Sequence, residues 1–365
     1  MWVYLKQNYP ETRNILGLHG SQSIFLKWCL PNIINASFRR LIPRSQFFTN
    51  LYVSPTFFRR IKFHVFNGIM VTASPWMSTF ETTLPRQHST YKKWQLRISL
   101  FLLSRDSCKA IIAISKRAIR MQHDALTSWS SQGLIDEIQR RKIIEKMVCV
   151  PPPQDQISQP RKRADGEVLR IIFVGNLFFL KGGREAYHAC HELIRDCDVD
   201  LELVVISSLE SDAWFSKTTK KEEEEWNAKL ERSHWVTLKQ RLSNNDVLNE
   251  MARCHLAIFP TKRDSYGYFT LEAQACGLPV ITSDFGVQPE INSEDCGWIV
   301  PASLNAEVED ETLVANLKSK IILAFEEKIR FSKAQKAYSR IGEFHNYAAT
   351  DIDMIFRCPE VVPAS

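Results

Sequence analysis

The chain has 365 residues, more than one hydrophobic core usually organises, so two domains of ordinary size are expected. Its hydrophobic content of 44% and charged content of 24% are those of a soluble globular protein. No apolar run reaches the roughly 18 residues of a membrane span, and the N-terminal residues lack the layout of a secretion signal. Nine cysteines stand singly without a CxxC pair, which excludes a disulfide framework and predicts a reducing, cytoplasmic location.

Positive charge is concentrated in the first part of the chain. Residues 1–150 contain 22 Lys and Arg against 7 Asp and Glu, the remainder contains 25 against 34, and the net charge is +6. The basic clusters fit a nucleic-acid contact, an anionic membrane surface or a solvated basic face. No recognisable nucleic-acid module accompanies them, so we expect no nucleic-acid partner, and the other two interpretations stay open.

The N-terminal part is predicted to contain short strands and amphipathic helices. A loop bearing Gly17 and Gly20 and a helix over residues 21–35 follow the first strand. Ser115 is expected to cap a helix. One further amphipathic helix is predicted at residues 91–104, because four apolar residues recur there at spacings of three and four: Trp94, Ile98, Phe101 and Leu102. The predicted strands cover residues 2–6, 47–53, 61–66, 75–80 and 110–114.

A polar, proline-rich linker then leads into a second series of strands and helices. A strand at residues 168–174 is followed by the loop GNLFFLKGG at residues 175–183 and by a helix to about residue 196. Ser243, with Asp246 three residues later, has the pattern of a helix capping box. The other predicted elements cover residues 199–207, 217–230, 311–325 and 331–347.

The second series is organised around a strand, loop, helix and strand unit. An apolar strand at residues 255–259 runs into the polar loop 260–267, and the loop opens a short helix. Gly277 supplies the left-handed position after the last helical turn, and Pro279 then starts the next strand, which is predicted at residues 280–283.

The entrance of this short helix is a predicted phosphate site. Gly267 allows the backbone to turn tightly there. In a parallel sheet the loop and the helix N-terminus lie at the carboxyl edge of the strands, where backbone amides point at an anion. Asp264 in the loop and Glu272 one turn into the helix can both face one ligand that carries a phosphate and hydroxyl groups. The amides predicted to bind the anion are those of Tyr268, Phe269 and Thr270.

The text DSYGYFTLEAQACGLPVI in this unit resembles family 4 retaining glycosyltransferases of the GT-B fold, in which two acids are separated by seven residues. The resemblance extends over residues 283–286, 289–291 and 297–301. The first acid is usually Glu in that family and is Asp264 here. The resemblance implies an α/β chain of the GT-B class, with two Rossmann-like domains facing an interdomain cleft.

The loop at residues 175–183 resembles the family's glycine, arginine and lysine loop, whose two cations hold the nucleotide diphosphate. Gly175 and Lys181 match, whereas Asn176 replaces the arginine. Because an amide lacks the charge and fork of a guanidinium, donor affinity would depend on Lys181, on helix amides or on a neighbour such as Arg263.

Residues 61–67 and 75–81 are similar to the family's paired strands, whose ends carry a histidine in many members. His64 lies on the first of these strands, and the second ends at Glu81. The resemblance makes His64 a candidate catalytic residue. A satisfied core histidine is the alternative interpretation of the same position.

The resemblance implies a hexosyltransferase that moves a sugar from a nucleotide-diphosphate sugar to a glycan, lipid-linked or small-molecule acceptor, with retention at the anomeric carbon. Lys181 and the helix amides would stabilise the leaving diphosphate, Asp264 would contact the sugar, and Glu272 would bind the ribose hydroxyls. No metal is expected, because no Asp-x-Asp with a metal-binding context appears near the predicted donor site, and the Asp-x-Asp at residues 351–353 lies in the C-terminal tail. A role in carbohydrate or cell-envelope glycan biosynthesis, peripheral on a membrane, would follow.

The expected division is a basic acceptor-side domain at residues 1–150, a linker at 151–167 and a nucleotide-sugar domain at 168–330. Residues 331–365 would form a helix and tail that cross back to the first domain. Two other functions stay open for this fold: a sugar-nucleotide epimerase-like enzyme, and a catalytically silent nucleotide-sugar-binding module.

Overall fold

The structure is a computed structural model. It describes residues 2–4, 51–54, 62–86, 92–210, 216–303, 305, 307 and 309–346. The predicted helix at residues 21–35 and the acidic pair at 351–353 lie outside the described residues. The chain divides into two compact units, one of residues 1–153 and 344–365 and the other of residues 154–343.

The first unit contains a parallel sheet with the strand order β1-β3-β5-β6-β7. A short parallel pair, β2 with β4, forms a second sheet. The strands predicted at residues 61–66, 75–80 and 110–114 are confirmed within two residues, whereas β4 was not predicted. The strands are β1 (Trp2–Tyr4), β2 (Leu51–Val53), β3 (Lys62–Phe66), β4 (Ile69–Val71), β5 (Trp76–Phe80), β6 (Cys108–Ala113) and β7 (Met147–Cys149).

Among the described residues of the first unit, three helices accompany this sheet: α1 (Lys93–Ser104), α2 (Lys116–Ser131) and α3 (Glu137–Ile144). The Ser115 hydroxyl accepts a hydrogen bond from the Ala118 amide at 3.0 Å, which confirms the predicted cap of α2. Trp76 and Trp129 are fully buried, so large aromatic side chains fill the core of this unit.

The helix predicted at residues 91–104 is confirmed as α1, but most of its predicted apolar stripe faces solvent. Leu102 is 9% exposed, whereas Trp94, Ile98 and Phe101 are 48, 41 and 49% exposed. Leu100 and Leu103 take the core side instead. Both faces of α1 carry apolar residues at helical spacing, so periodicity alone could not select the buried one.

The second unit contains a six-stranded parallel sheet in the order β10-β9-β8-β11-β12-β13. This is the Rossmann order, in which the direction of strand addition reverses between the first and fourth strands, here β8 and β11. The strands are β8 (Leu169–Val174), β9 (Leu201–Ile206), β10 (Val236–Lys239), β11 (Leu256–Phe259), β12 (Val280–Ser283) and β13 (Trp298–Val300).

Successive residues of these strands enter different apolar clusters, as when Ile171 packs into one cluster and Ile172 into another. Both faces of the sheet are therefore covered, as parallel sheets require. Ser243 caps its helix as predicted, since its hydroxyl accepts from the Asp246 amide. The helices are α4 (Gly183–Cys197), α5 (Lys220–Arg232), α6 (Asn244–Met251), α7 (Tyr268–Ala275), α8 (Gln288–Ile291), α9 (Glu311–Phe325) and α10 (Glu327–Phe344).

Within the described ranges, no helix combines the length and apolar character needed to cross a bilayer.

Candidate functional site

Two loops leave β8 and β11 at the point where the strand order reverses, and they touch each other. The amide of Lys262, after β11, donates to the Leu180 carbonyl, after β8, at 3.0 Å. Gly182 has a φ of +78°, and a Cβ there would lie 2.3 Å from the Pro260 carbonyl oxygen. Only glycine fits this position, for its conformation and for the close approach. The loops therefore form one continuous surface at the carboxyl edge of the sheet, where α/β proteins bind ligands.

The Lys181 side chain joins the two loops. Its Nζ donates to Asp264 Oδ1 at 2.8 Å and to the Arg263 carbonyl at 2.9 Å. The Lys181 and Asp264 side chains are 17 and 20% exposed, so the pair is shielded from bulk water but reachable. Gly175 makes room for this arrangement, because a Cβ there would lie 3.0 Å from Lys181 Cγ. The structure thus brings together two residues that are 83 positions apart in the sequence.

The entrance of α7 has the tight turn that the sequence predicts. Gly267 has a φ of +97° at the N-cap, and a Cβ there would lie 2.1 Å from Gln288 Nε2. The Thr270 amide donates to the Gly267 carbonyl at 3.0 Å, so this amide is already used within the first turn. The anion-binding role predicted for this turn therefore rests on the amides of Tyr268 and Phe269.

Asn176 and Glu272 flank this surface in different environments. Asn176 is exposed, and its carbonyl accepts from the amides of Phe178 at 3.0 Å and Glu210 at 2.9 Å. The backbone of Asn176 shapes the loop while its side chain faces solvent. Glu272 is 8% exposed and lies one turn beyond the α7 entrance.

A buried ion pair that the sequence analysis missed anchors both loops. Lys262 Nζ lies 2.8 Å from Glu185 Oε1, and both side chains are 0% exposed. The Arg184 guanidinium lies 3.3 Å from the same oxygen. Glu185 is in the first turn of α4, just after Gly182, and Lys262 precedes Asp264 by two residues. The pair therefore fixes the position of both loops, and no local pattern could have linked residues 77 positions apart.

Gln288 is a second residue that the sequence analysis missed. It is fully buried, and its Oε1 accepts from the Thr270 hydroxyl at 2.8 Å. Across the part of the chain that the structure describes, its Nε2 has no hydrogen-bond partner. Leaving a buried donor unsatisfied costs about 1–3 kcal/mol. An acceptor atom of a ligand beside Gly267 would remove this cost.

In the first unit, His64 lies inside the sheet. Its side chain is fully buried on β3, and Nε2 lies 2.7 Å from Thr79 Oγ1 on β5. Glu81, which follows β5, is 7% exposed, with the Arg86 guanidinium 3.9 Å away. The burial of His64 and its contact with Thr79 are those of a core histidine whose hydrogen bonding is satisfied.

The described residues contain no group of three His, Cys, Asp or Glu side chains arranged to hold a metal ion.

Parallel sheets in two units, with a lysine-bearing loop pair where the second sheet reverses its strand order, define an α/β protein of the GT-B class. The chain belongs to the family of glycosyl transferases group 1, whose model matches residues 154–337, half of the chain. No curated protein matches the sequence closely enough to count as a relative.

Several solved structures have a similar fold. Anabaena Alr3699/HepE in complex with UDP-glucose aligns with a TM-score of 0.58 and 13% identity, covering 98% of both chains. Sucrose-phosphate synthase from Thermosynechococcus elongatus aligns with a TM-score of 0.54 and 14% identity, covering 81% of this chain and 73% of that one. At such identities the likeness shows the fold alone.

Other similar structures are longer than this chain. The pneumococcal O-GlcNAc transferase GtfA, in complex with UDP and GlcNAc, aligns with a TM-score of 0.56 and 14% identity over 90% of this chain. This chain covers 59% of that protein, 57% of TarM and 53% of the matched chain in a GtfA/B complex. It therefore spans less than two thirds of their lengths.

Proposed function

We propose that the protein is a retaining glycosyltransferase of the family 4 type, which moves a sugar from a nucleotide-diphosphate sugar to an acceptor hydroxyl. The observation that carries the proposal is the pairing of Lys181 with Asp264, 2.8 Å apart, beside the α7 entrance at the reversal point of a Rossmann sheet. A cation, helix amides and a carboxylate at one edge suit a ligand with a diphosphate and a sugar.

The diphosphate is assigned to Lys181 and the first turn of α7. A lysine ammonium has three donors, and Lys181 uses two of them on Asp264 and the Arg263 carbonyl. Its third donor serves a phosphate oxygen, with the amides of Tyr268 and Phe269. The buried Gln288 Nε2 beside Gly267 offers a further donor.

The sugar and the ribose are assigned to the two acids. Asp264 is held by Lys181 through Oδ1, and its carboxylate accepts hydrogen bonds from hydroxyls of the transferred sugar. Glu272 accepts from the ribose hydroxyls, a role like that of the ribose-binding carboxylate in Rossmann dinucleotide sites.

Transfer breaks the bond between the anomeric carbon and the diphosphate oxygen and forms a bond from that carbon to the acceptor oxygen on the same face of the sugar. The acceptor's proton passes to the departing phosphate, so a protein base is not needed. Negative charge grows on the leaving diphosphate, and Lys181 with the α7 amides stabilises it in place. Because His64 is enclosed between strands, we assign it no role in this step.

The proposal also assigns a donor class and an acceptor class. Two similar structures contain UDP-glucose or UDP with GlcNAc, so UDP-sugars are the first donors to test. We assign the donor to residues 168–330 and the acceptor, a glycan or lipid-linked molecule, to residues 1–150. A role in cell-envelope glycan synthesis, in the cytoplasm and peripheral on the membrane, fits such an acceptor.

A silent binding module is the second candidate, because the exposed Asn176 stands where the family has a cation. A thermal-shift screen against nucleoside diphosphates and their sugars, followed by product analysis of the best donor, separates the candidates. We expect stabilisation by a nucleotide sugar and a glycoside whose anomeric configuration matches the donor's. Binding without turnover would favour the silent module, an epimerised donor would favour the epimerase, and no stabilisation would reject the donor site.

A further inference from the structure

The helices α1 and α3 of the first unit, which pack against each other, present an apolar surface to solvent. Trp94, Ile98 and Phe101 follow each other at spacings of four and three, so they form one stripe along α1. Ile138 on α3 is 71% exposed, and it lines a groove of 610 Å³ together with Phe101. We call these four residues and their border the α1–α3 face.

Cations border the α1–α3 face. The Arg105 guanidinium lies 5.6 Å from the centroid of the Phe101 ring, so charge and aromatic surface are adjacent. Three acids lie nearby: Asp106 on the groove wall, Asp136, which is exposed at the N-cap of α3, and Glu137, which is paired with Arg140 at 3.1 Å. The exposed cations are Lys93, Arg97, Arg105, Lys109 and Lys142, of which the last three line the groove.

We infer that the α1–α3 face docks on an anionic lipid bilayer. Trp94, Ile98, Phe101 and Ile138 enter the interface between headgroups and acyl chains, and the bordering cations contact the headgroups. Tryptophan is favoured at that depth because its ring is apolar with one polar atom. A cationic border selects an anionic surface, and a bilayer accepts separated protruding side chains without a matching pocket. This surface is independent of the donor site, and it rests on the proposed function only for its purpose, which is access to a lipid-linked acceptor.

The test is co-sedimentation of the full chain with two kinds of vesicle. Neutral vesicles contain phosphatidylcholine alone, and anionic vesicles contain phosphatidylcholine mixed with phosphatidylglycerol. We expect binding to the anionic vesicles that weakens as salt rises, and roughly tenfold weaker binding when Phe101→Ser and Ile138→Ser are combined. The matched control combines Ile322→Ser with Leu323→Ser, because these residues are 49 and 42% exposed on α9 of the second unit. The control should bind as the unchanged protein does.

All four substituted residues are exposed, so melting temperature and affinity for a nucleoside diphosphate without vesicles should stay unchanged. A defect confined to vesicle binding therefore reports on the α1–α3 face and leaves the donor-site proposal untouched. Equal loss in the control pair, no loss in the α1–α3 pair, equal binding to neutral vesicles, or no binding at low salt would each overturn the inference. The last outcome would leave a protein partner as the occupant of the face.

Discussion

The two units place their candidate polar residues differently. In the second unit, Lys181 and Asp264 lie in loops beyond the strand ends, where they meet each other and remain partly exposed. In the first unit, His64 lies within β3, fully buried and hydrogen-bonded to Thr79. A ligand can reach Lys181 and Asp264 without unfolding the sheet, whereas His64 is buried and already hydrogen-bonded. The position of a residue relative to its strand end therefore decides whether it is available for chemistry.

The largest expected effect is on stability, and it concerns the buried pair of Lys262 and Glu185. Lys262→Met should lower the free energy of unfolding by about 3–5 kcal/mol, because it leaves the buried Glu185 carboxylate without its closest cation. Denaturant unfolding measures the change. Lys221→Met is the control, since Lys221 and Glu225 are 3.7 Å apart with 85 and 62% exposed side chains, and it should cost under about 0.5 kcal/mol.

Replacing both buried partners sharpens this prediction. Lys262→Met combined with Glu185→Leu should recover part of the stability, because both fully buried charges are then removed and only Arg184, whose side chain is 13% exposed, loses a partner. If Lys262→Met costs no more than the exposed control, the two loops are not anchored by this pair.

The next effect is on turnover. Lys181→Ala removes the cation that faces the leaving diphosphate, so kcat should fall by roughly 10² to 10³. Steady-state kinetics with saturating donor measures it. Lys318→Ala is the control, because Lys318 is also an ion-paired lysine of the second unit, bonded to Glu192 and Asp196 on α4. Equal kcat values for the two variants would contradict the role of Lys181.

A smaller effect, on stability, is expected in the first unit. Thr79→Val removes the hydroxyl that pairs with His64 and should destabilise the protein by about 1–3 kcal/mol, because this buried hydrogen bond is lost. The kcat per folded molecule should stay unchanged. A large loss of kcat with full stability would instead give His64 a catalytic role.

The strands and helices of the second unit could be predicted because the residues that determine them are close together in the sequence. Gly267 and Gly277 fix the ends of α7, and the apolar strands predict a parallel sheet whose carboxyl edge collects the loops. The strand predicted at residues 280–283 and the helix predicted at 311–325 have the same bounds in the structure. The conformations of Gly182 and Gly267 explain why those positions are glycine.

What the sequence could not show are contacts over long separations and the choice between two apolar faces. The Lys262–Glu185 pair and the contact of Gln288 with Thr270 depend on how β8, β11 and α8 are placed. On α1, Trp94 and Phe101 have the same helical spacing as the residues that are buried, and only packing against the sheet separates the two sets. Periodicity reports that a helix has apolar faces, and tertiary structure decides which one is covered.

The central claim is that the edge between β8 and β11 binds a nucleotide diphosphate, and isothermal titration calorimetry tests it most directly. UDP and pyrophosphate are titrated into the unchanged protein, Lys181→Ala and Glu272→Gln. We predict that Lys181→Ala weakens both ligands, whereas Glu272→Gln weakens UDP through the ribose and leaves pyrophosphate nearly unchanged. Unchanged affinities of both variants for both ligands would contradict the claim.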